Sequence, residues 1–432
     1  METLIKKLVN ARTGEVKALL WSFAYFFFLL STYYMLQPLR DAMATEGGTR
    51  QLPWLFVGTF ATTLVLIPFQ SALAARLPRA VFIPVVYLFL VANMLVFWFL
   101  MKSEIAVVGV ARAFFIWTTV FSVFTVSIFW TFMADLYSSE QSKRLFGFIG
   151  AGGSIGSILG PLIVKQLVGP IGVANLLLVA SGMLVLAVVC ANRLEGAAAE
   201  AQAATKGFVS ASASRPPPVG GGMFDGFGLL FKSGYLGGIG VWVFLLSFAG
   251  TFLYFILQGV VNDANLDAAA RTSFFATIAL WVGVLSLAVQ LLATGRIISA
   301  IGTGMSAALV ALVFVVGFIA LAAAPLLAAP LLSIAAVFQV AQRSTTFGIA
   351  NIARESLWTV VSREEKFKAK NIIDGAAFRG SDALNAVVYD LCAKLLALPG
   401  LAIVGAVAAA GWVALSLGLG KAQEKRAREA AR

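Results

Sequence analysis

The strongest constraint on the fold is that stretches of roughly twenty apolar residues recur along the whole chain. About 20 such residues are needed to cross the hydrocarbon core of a bilayer as an α-helix. Hydrophobic residues make up 60% of the 432 positions and charged residues only 12%, about half the charged fraction of an average soluble domain. The sequence therefore predicts an all-α polytopic membrane protein, not an enzyme.

Twelve transmembrane helices are predicted, in two groups of six. The spans are 18–39, 52–75, 81–101, 106–136, 144–168, 172–192, 236–260, 272–296, 305–324, 328–352, 371–396 and 398–420. The segment 193–235 is rich in Ala, Ser, Gly and Pro and has no apolar period, which predicts a flexible cytoplasmic linker. It separates an N-terminal six-helix bundle (1–192) from a C-terminal six-helix bundle (236–432). Two such parallel halves are typical of major-facilitator-like transporters.

A short internal match supports two related halves. At an offset of 225 residues, four identical residues coincide at the start of spans 5 and 11: Glu140 with Glu365, Lys143 with Lys368, Gly150 with Gly375 and Ala151 with Ala376.

The basic residues predict the orientation of the chain. With the N-terminus in the cytoplasm, 23 of the 32 Lys and Arg fall on the cytoplasmic side, 6 fall outside and 3 lie within spans. This asymmetry places both termini in the cytoplasm. The first 17 residues lack the apolar core of a cleavable signal peptide, and we expect a bacterial cytoplasmic (inner) membrane protein. Because topology accounts for the net charge of +12, no nucleic-acid partner is expected.

Thiol and metal chemistry are not indicated. Cys190 and Cys392 each lie in an apolar run, so neither a disulfide nor a metal site is predicted, and no cofactor is expected. The chain has no histidine. Any coupling to protons would therefore use carboxylates.

Eight charged residues lie in or at the ends of spans, and an isolated charge at mid-bilayer costs about 2.5–3.5 kcal/mol. They are Arg40, Asp41, Arg112, Asp135, Arg343, Asp374, Arg379 and Asp382. Some could be structural. Arg379 and Asp382 are three residues apart on one helix face and could pair, Arg112 could be structural or snorkel to the interface, and Arg40 and Asp41 could be snorkelling interface residues.

The stretch YYMLQPLRDAMA (33–44) favours a functional role for Arg40. Pro38 removes a backbone hydrogen bond from the helix. Tyr33, Tyr34 and Gln37 supply stacking and hydrogen-bonding groups close to the arginine. Aromatic rings beside a guanidinium suit a phosphorylated, ring-bearing ligand.

A glycine-rich stretch, GFIGAGGSIGSILGP (147–161), lies on span 5. It is not preceded by a strand and lacks the spacing of a nucleotide-binding loop. The small residues instead predict close packing against another helix.

Three further stretches, FWTFMADLY, SKRLFGFIGAGGSIG and ARESLWTVVSREEKFKAKNIIDGAAFRGSDALN, resemble the ATP/ADP translocases of plastids and intracellular bacteria, of which this chain would be a free-living bacterial relative. That family uses a lysine in span 1, a glutamate in span 4, a glutamate in span 7 and a lysine in span 10. The resemblance places Arg40, Asp135 and Arg354 at the first, second and fourth positions. At the third, the nearest residue is the neutral Gln258, which puts strict ATP/ADP selectivity in doubt.

These features predict a secondary transporter that exchanges nucleotides or other phosphorylated or organic anions, by rocking of the two bundles around a central site. We expect a monomer whose partners are the small anion and the lipid bilayer. The predicted substrate-binding residues are Arg40, Asp41, Tyr34, Gln37, Asp135, Gln258, Arg343, Arg354, Asp374 and Arg379. Two alternatives remain open: a proton-coupled major-facilitator carrier of another solute, and a non-transporting membrane receptor on the same fold.

Overall fold

The computed structural model describes residues 15–46, 48–76, 79–204, 233–362, 370, 373 and 378–430. Within them it is helical, with no strand. The thirteen α-helices are α1 (Glu15–Met43), α2 (Leu52–Arg76), α3 (Arg79–Lys102), α4 (Val107–Leu136), α5 (Ser139–Ile171), α6 (Leu176–Ala204), α7 (Gly234–Asp263), α8 (Ala268–Leu292), α9 (Thr294–Ala323), α10 (Leu331–Thr345), α11 (Asn351–Leu357), α12 (Phe378–Ala393) and α13 (Leu398–Ala430).

Every predicted span overlaps at least one helix among the residues described. Among the residues described, nine helices are long and apolar enough to cross a membrane. Large apolar side chains also remain exposed on these helices, including Phe89 at 65%, Phe99 at 59% and Val316 at 66%. Such exposed apolar surface fits helices that face lipid. The chain is a multi-pass membrane protein.

Several element boundaries differ from the predicted ones. Helix α9 begins at Thr294 rather than at 305, and α13 continues to Ala430 rather than ending at 420. The sixth helix continues to Ala204, past the predicted linker start at 193, because EGAAAEAQAA (195–204) is composed largely of strong helix formers. The tenth span is interrupted: α10 ends at Thr345, a π-helical turn occupies Thr346–Ala350, and α11 follows. The rest of the linker, at 205–232, and the repeat residues Glu365, Lys368, Gly375 and Ala376 lie outside the described residues.

The chain divides into two compact units. The first contains Met1–Glu46, Ala61–Pro216 and Asp267–Leu280, and the second contains Gly47–Phe60, Pro217–Leu266 and Trp281–Arg432.

In the first unit, the glycine-rich face of α5 lies directly against α1. A Cβ added at Gly152 would come within 2.5 Å of the Phe23 carbonyl oxygen, and one at Gly156 within 2.6 Å of the Phe27 carbonyl oxygen. A Cβ at Gly160 would meet the Ser31 carbonyl oxygen at 2.6 Å. Only glycine permits this approach, so the prediction of close helix packing is confirmed.

Aromatic and polar groups complete the core of the first unit. The rings of Phe26 and Phe129 stack with centroids 4.2 Å apart. The buried hydroxyls of Tyr25 and Tyr87 lie 2.7 Å apart, and the Tyr87 hydroxyl also donates to the Thr125 carbonyl oxygen at 3.3 Å. These bonds satisfy polar groups that would be costly to bury unpaired.

The N-terminal end of α1 is attached to the start of α5. The Ser138 hydroxyl and Gln141 form a capping box at that start. The Gln141 amide also donates to the buried Glu15 carboxylate at 3.0 Å, and Arg144 Nη2 lies 3.3 Å from the same oxygen. The interface between α1 and α5 therefore runs from these polar groups through the glycine face.

The second unit has its own close helix pair. A Cβ on Gly304 of α9 would lie 2.6 Å from the Cα of Gly420 on α13. Nearby, Trp242 of α7 donates its ring N–H to the Ser416 hydroxyl at 2.9 Å and packs edge-on against Trp412. Together these contacts join α7, α9 and α13.

Candidate functional site

The last turn of α1 holds Arg40 in a fixed orientation. The guanidinium donates from Nε and Nη2 to the same oxygen of Asp41, at 3.0 and 2.7 Å. The Arg40 side chain is 13% exposed and that of Asp41 is 7% exposed. Since α1 continues through Pro38 to Met43, the pair belongs to a regular helix end, where a cation is favoured by the helix dipole.

The ring of Phe115 on α4 lies beneath the Arg40 guanidinium, with 5.1 Å between the guanidinium carbon and the ring centroid. Arg112 precedes Phe115 by three residues and so lies on the same face of α4. The Arg112 Nε atom is buried without a hydrogen-bond partner among the residues described. In this part of the first unit, Asp41 therefore neutralises the Arg40 guanidinium, whereas the Arg112 guanidinium has no counterion among the residues described.

Two of the other predicted residues in α1 differ in exposure. Gln37 is buried, at 7%, and Tyr34 is half-buried with its ring edge-on to Tyr33 at 5.0 Å. Gln37 lies about one turn before Arg40 on α1, and Tyr34 about one turn earlier still.

Arg271, at the start of α8, binds the segment that follows α1. Its Nη1 atom donates to the Ala42 carbonyl oxygen at 3.2 Å, to the Thr45 hydroxyl at 2.7 Å and to a Glu46 carboxylate oxygen at 3.2 Å. The sequence did not single out Arg271, which counted only as an outer-loop cation. The contact fixes the position of the chain immediately after the Arg40–Asp41 pair.

Asp135, the other predicted residue of the first unit, occupies the last turn of α4. It is exposed, whereas the preceding Met133 is fully buried.

In the second unit, the interrupted tenth span carries two arginines. Arg343 is half-buried in the last turn of α10, and within the described part of the chain it has no side-chain hydrogen bond or ion pair. The π-helical turn follows directly, and such turns are frequent at functional sites. Beyond it, Arg354 of α11 lies 3.8 Å from Glu355, which also pairs with Lys370.

The remaining predicted residues of this unit lie on different elements. Gln258 is fully buried in α7. Arg379 is half-buried at the start of α12. Asp374 lies outside the described residues. A common site for these residues stays a prediction.

Asp382 of α12 bonds to α7 rather than to Arg379. The Ser247 hydroxyl donates to the Asp382 carboxylate at 2.6 Å, and the Asn385 amide donates to the Ser247 hydroxyl at 3.1 Å. Among the residues the structure describes, no ion pair joins Arg379 and Asp382. The charge of Arg379 nevertheless acts on the Asp382 carboxylate, so the two residues interact at a longer distance than a salt bridge.

The sequence matches the family described as Major Facilitator Superfamily over residues 12–364. No curated protein matches it. Several solved transporter structures are similar. The nucleoside transporter NupG is 14% identical, with 96% of this chain and 100% of that chain covered and a TM-score of 0.60. A bacterial homologue of the iron transporter ferroportin is 10% identical, with 95% and 100% covered and a TM-score of 0.63.

A bacterial homologue of the human lysosomal transporter Spinster is 13% identical, with 97% of this chain and 98% of that chain covered and a TM-score of 0.54. At these identities the comparisons show the fold alone. The chain has the twelve-helix fold of these transporters, as the hydropathy pattern predicted.

Proposed function

Because the chain belongs to the Major Facilitator Superfamily, and is thus a membrane transporter of a small molecule, we propose that its cargo is an organic anion. Nucleotides and other phosphorylated metabolites are the first candidates. The transport mode that we propose is exchange of one anion for another.

The observation that carries this proposal is that each unit holds an arginine without a counterion in a membrane-spanning helix. These residues are Arg112 in α4 and Arg343 in α10, and neither has a side-chain hydrogen bond or ion pair among the described residues. A charge at membrane depth costs about 2.5–3.5 kcal/mol. An anionic cargo would supply the missing partner through charge-assisted hydrogen bonds.

The surroundings of Arg40 support a cargo that contains a ring. The bond to Asp41 fixes the plane of the guanidinium, and Phe115 places an aromatic surface against it. The paired rings of Tyr33 and Tyr34 lie about two turns earlier on α1. Aromatic rings can stack on a nucleobase, and one arginine guanidinium can donate two hydrogen bonds to two oxygens of a phosphate. The similar NupG is a nucleoside transporter, so this fold accommodates a base and a sugar.

The resemblance to ATP/ADP translocases makes nucleotide exchange the more specific proposal. Arg40, Asp135 and Arg354 would take the places of three charged residues of that family. Gln258 is neutral where the family has a glutamate, and we expect selectivity among nucleotides to be broader for that reason.

Exchange follows from the energetics of an empty site. Arginines that lack a counterion resist the change from one access state to the other, because their charges must be reoriented without compensation. A bound anion removes this cost in both directions. Return of the empty carrier should therefore be slower than return of the loaded one.

Exchange in liposomes tests the proposal. The purified protein is reconstituted into liposomes preloaded with ATP, ADP, a sugar phosphate, a dicarboxylate or buffer, and uptake of labelled nucleotide is measured. We expect an internal anion to accelerate uptake at least about tenfold. Arg40→Gln and Arg343→Gln should each lower the rate about tenfold or more, the equivalent of one charged hydrogen bond.

Arg296→Gln is the matched control, since Arg296 is an exposed helix residue and its loss should leave the rate unchanged. If Arg40→Gln and Arg343→Gln exchange as fast as this control, the proposed anion site is wrong. Absence of flux with every anion and gradient would instead favour the non-transporting receptor.

A proton-coupled carrier is the second candidate, supported by one carboxylate. Asp382 accepts a hydrogen bond from Ser247, and the charge of Arg379, three residues earlier on α12, acts on its carboxylate without forming a salt bridge. Carboxylates within spanning helices often mark a proton pathway.

Proton coupling predicts that an imposed pH gradient drives uptake without any internal anion. Asp382→Asn should abolish this gradient-driven uptake and leave anion exchange intact. Under the exchange proposal, a pH gradient alone has no effect in the parent protein, so the two mechanisms give opposite results in the same liposomes.

A further inference from the structure

A groove of about 450 Å³ lies in the second unit, between the beginning of α7 and the last turns of α13. One side consists of apolar and glycine positions, including Gly234, Gly418 and Leu419, and the other carries Lys425, Arg426 and Glu429. A Cβ added at Gly234 or Gly418 would meet nothing within 4 Å. The groove is therefore open along its glycine side.

The groove lies where α13 leaves the apolar part of the membrane. Residues 398–420 of α13 are almost entirely apolar, and from Lys421 onward the sequence is KAQEKRAREA. A 33-residue helix is about 50 Å long, whereas the hydrocarbon core is about 30 Å thick. The end of the groove at Leu415 and Gly418 thus lies within the apolar span, and its basic end at Lys425 and Arg426 is at headgroup depth.

Arg426 differs from its charged neighbours in lacking an acidic partner. Lys425 lies 4.0 Å from Glu429, and Arg428 lies 3.9 Å from Glu424. The guanidinium of Arg426 instead lies over the ring of Tyr235, 4.5 Å from its centroid, and has no ion pair among the residues described. One cation without a counterion therefore faces the groove.

We propose that this groove binds an anionic phospholipid of the adjacent leaflet. The phosphate contacts Arg426, with Lys425 beside it, and an acyl chain follows Gly418 and Leu415 toward the membrane interior. Basic pockets between spanning helices are a known form of anionic headgroup site. Glu429 also lines the groove, but Lys425 compensates it. This site is independent of the proposed anion transport.

A phospholipid bound in the groove would affect the end of α11 through Tyr235. The hydroxyl of this residue donates to the Leu357 carbonyl oxygen at 2.8 Å, and Gln423 of α13 donates to the Ser356 carbonyl oxygen at 2.7 Å. A lipid on the Tyr235–Arg426 pair would therefore stabilise the junction of α7, α11 and α13 as a whole.

Native mass spectrometry and thermal melting of the detergent-purified protein test the site. Phosphatidylglycerol should give a saturable adduct and raise the Tm, and phosphatidylcholine of the same chain length should do neither. Arg426→Gln should weaken phosphatidylglycerol binding about fivefold, as expected for one basic residue near a headgroup. Arg428→Gln, with the same charge change outside the groove, should bind like the parent.

Gly418→Leu tests the acyl-chain side without altering charge, and it should reduce binding of phosphatidylglycerol. Equal losses in Arg426→Gln and Arg428→Gln would overturn the proposal in favour of general charge attraction. Equal binding of phosphatidylcholine would show that no anionic headgroup is recognised. Equal stabilisation by glycerol phosphate without acyl chains would show a free-phosphate site.

Discussion

The arginines near the ends of the spanning helices divide into those with and those without an acidic partner. Arg40 is bonded to Asp41, and Arg271 to Glu46 and two oxygens beside it. Arg112 and Arg343 have no such group within the described residues. The charge of the first kind is compensated within the protein, and the charge of the second kind is unfavourable until an anion binds.

This distinction gives opposite expectations for stability and function at Arg112. Arg112→Gln should raise the Tm by about 2 °C, because it removes a charge that costs on the order of 1 kcal/mol without a partner. The same change should reduce anion uptake in liposomes. Thermal melting and uptake are measured on one preparation.

If Arg112 were a structural clamp, its replacement would lower the Tm instead. Arg112→Lys distinguishes the effect of the positive charge from that of bidentate hydrogen bonding. Lysine keeps the charge but cannot donate two parallel hydrogen bonds to a phosphate. We expect this variant to retain part of the uptake.

The sequence predicted some of these residue-level features and not others. Arg40 and Asp41 are adjacent, so their pairing could be anticipated from position alone. The contacts of Arg271 with Thr45 and Glu46 join residues that are more than 200 positions apart in the sequence. No local sequence pattern indicates such contacts. Whether Arg112 has a partner depends on side chains from several helices, and hydropathy contains no such information.

At the scale of helices, apolar length was a sufficient guide to where the spans lie. It missed the π-helical turn at Thr346–Ala350 because that turn changes the hydrogen-bond pattern without changing the composition. It also ended the sixth helix too early, because an alanine-rich, charged segment remains helical after the apolar period ends. The glycine pattern of α5, by contrast, predicted its packing correctly.

Gly156 and Gly147 provide a matched test of the contact between α1 and α5. A Cβ at Gly156 would meet the backbone of Phe27 and Ser31 at 2.6 and 2.9 Å, whereas one at Gly147 would meet nothing within 4 Å. Gly156→Ala should destabilise the protein by about 1–3 kcal/mol through overpacking. Gly147→Ala should be neutral or slightly stabilising, since alanine is the better helix former.

Denaturation in mild detergent, followed by the fluorescence of the buried tryptophans, measures both variants. Equal stability of Gly156→Ala and Gly147→Ala would mean that the two helices are not in backbone contact.

For the whole molecule, twelve spans and the distribution of basic residues gave the fold class. They did not give the composition of the compact units, which take in Gly47–Phe60 and Asp267–Leu280 from distant parts of the chain. Local periodicity cannot predict such membership, because it depends on contacts between helices far apart in sequence.

The orientation of the chain remains a prediction and is directly testable. With both termini in the cytoplasm, a green fluorescent protein fused after Arg432 should fluoresce, and alkaline phosphatase at the same position should be inactive. A phosphatase inserted in the loop after Lys394 should be active. The reverse pattern would show that the basic residues were assigned to the wrong side.

The direct backbone contact of α1 with α5 has a consequence for how Arg40 can move. No flexible side chains separate the two helices at Gly152, Gly156 and Gly160. Rotation or sliding of α1 by even half a turn would drive a phenylalanine or serine of α1 into a helix backbone. Any displacement that carries Arg40 during a transport cycle must therefore take α5 with it, so that α1 and α5 move as one rigid body.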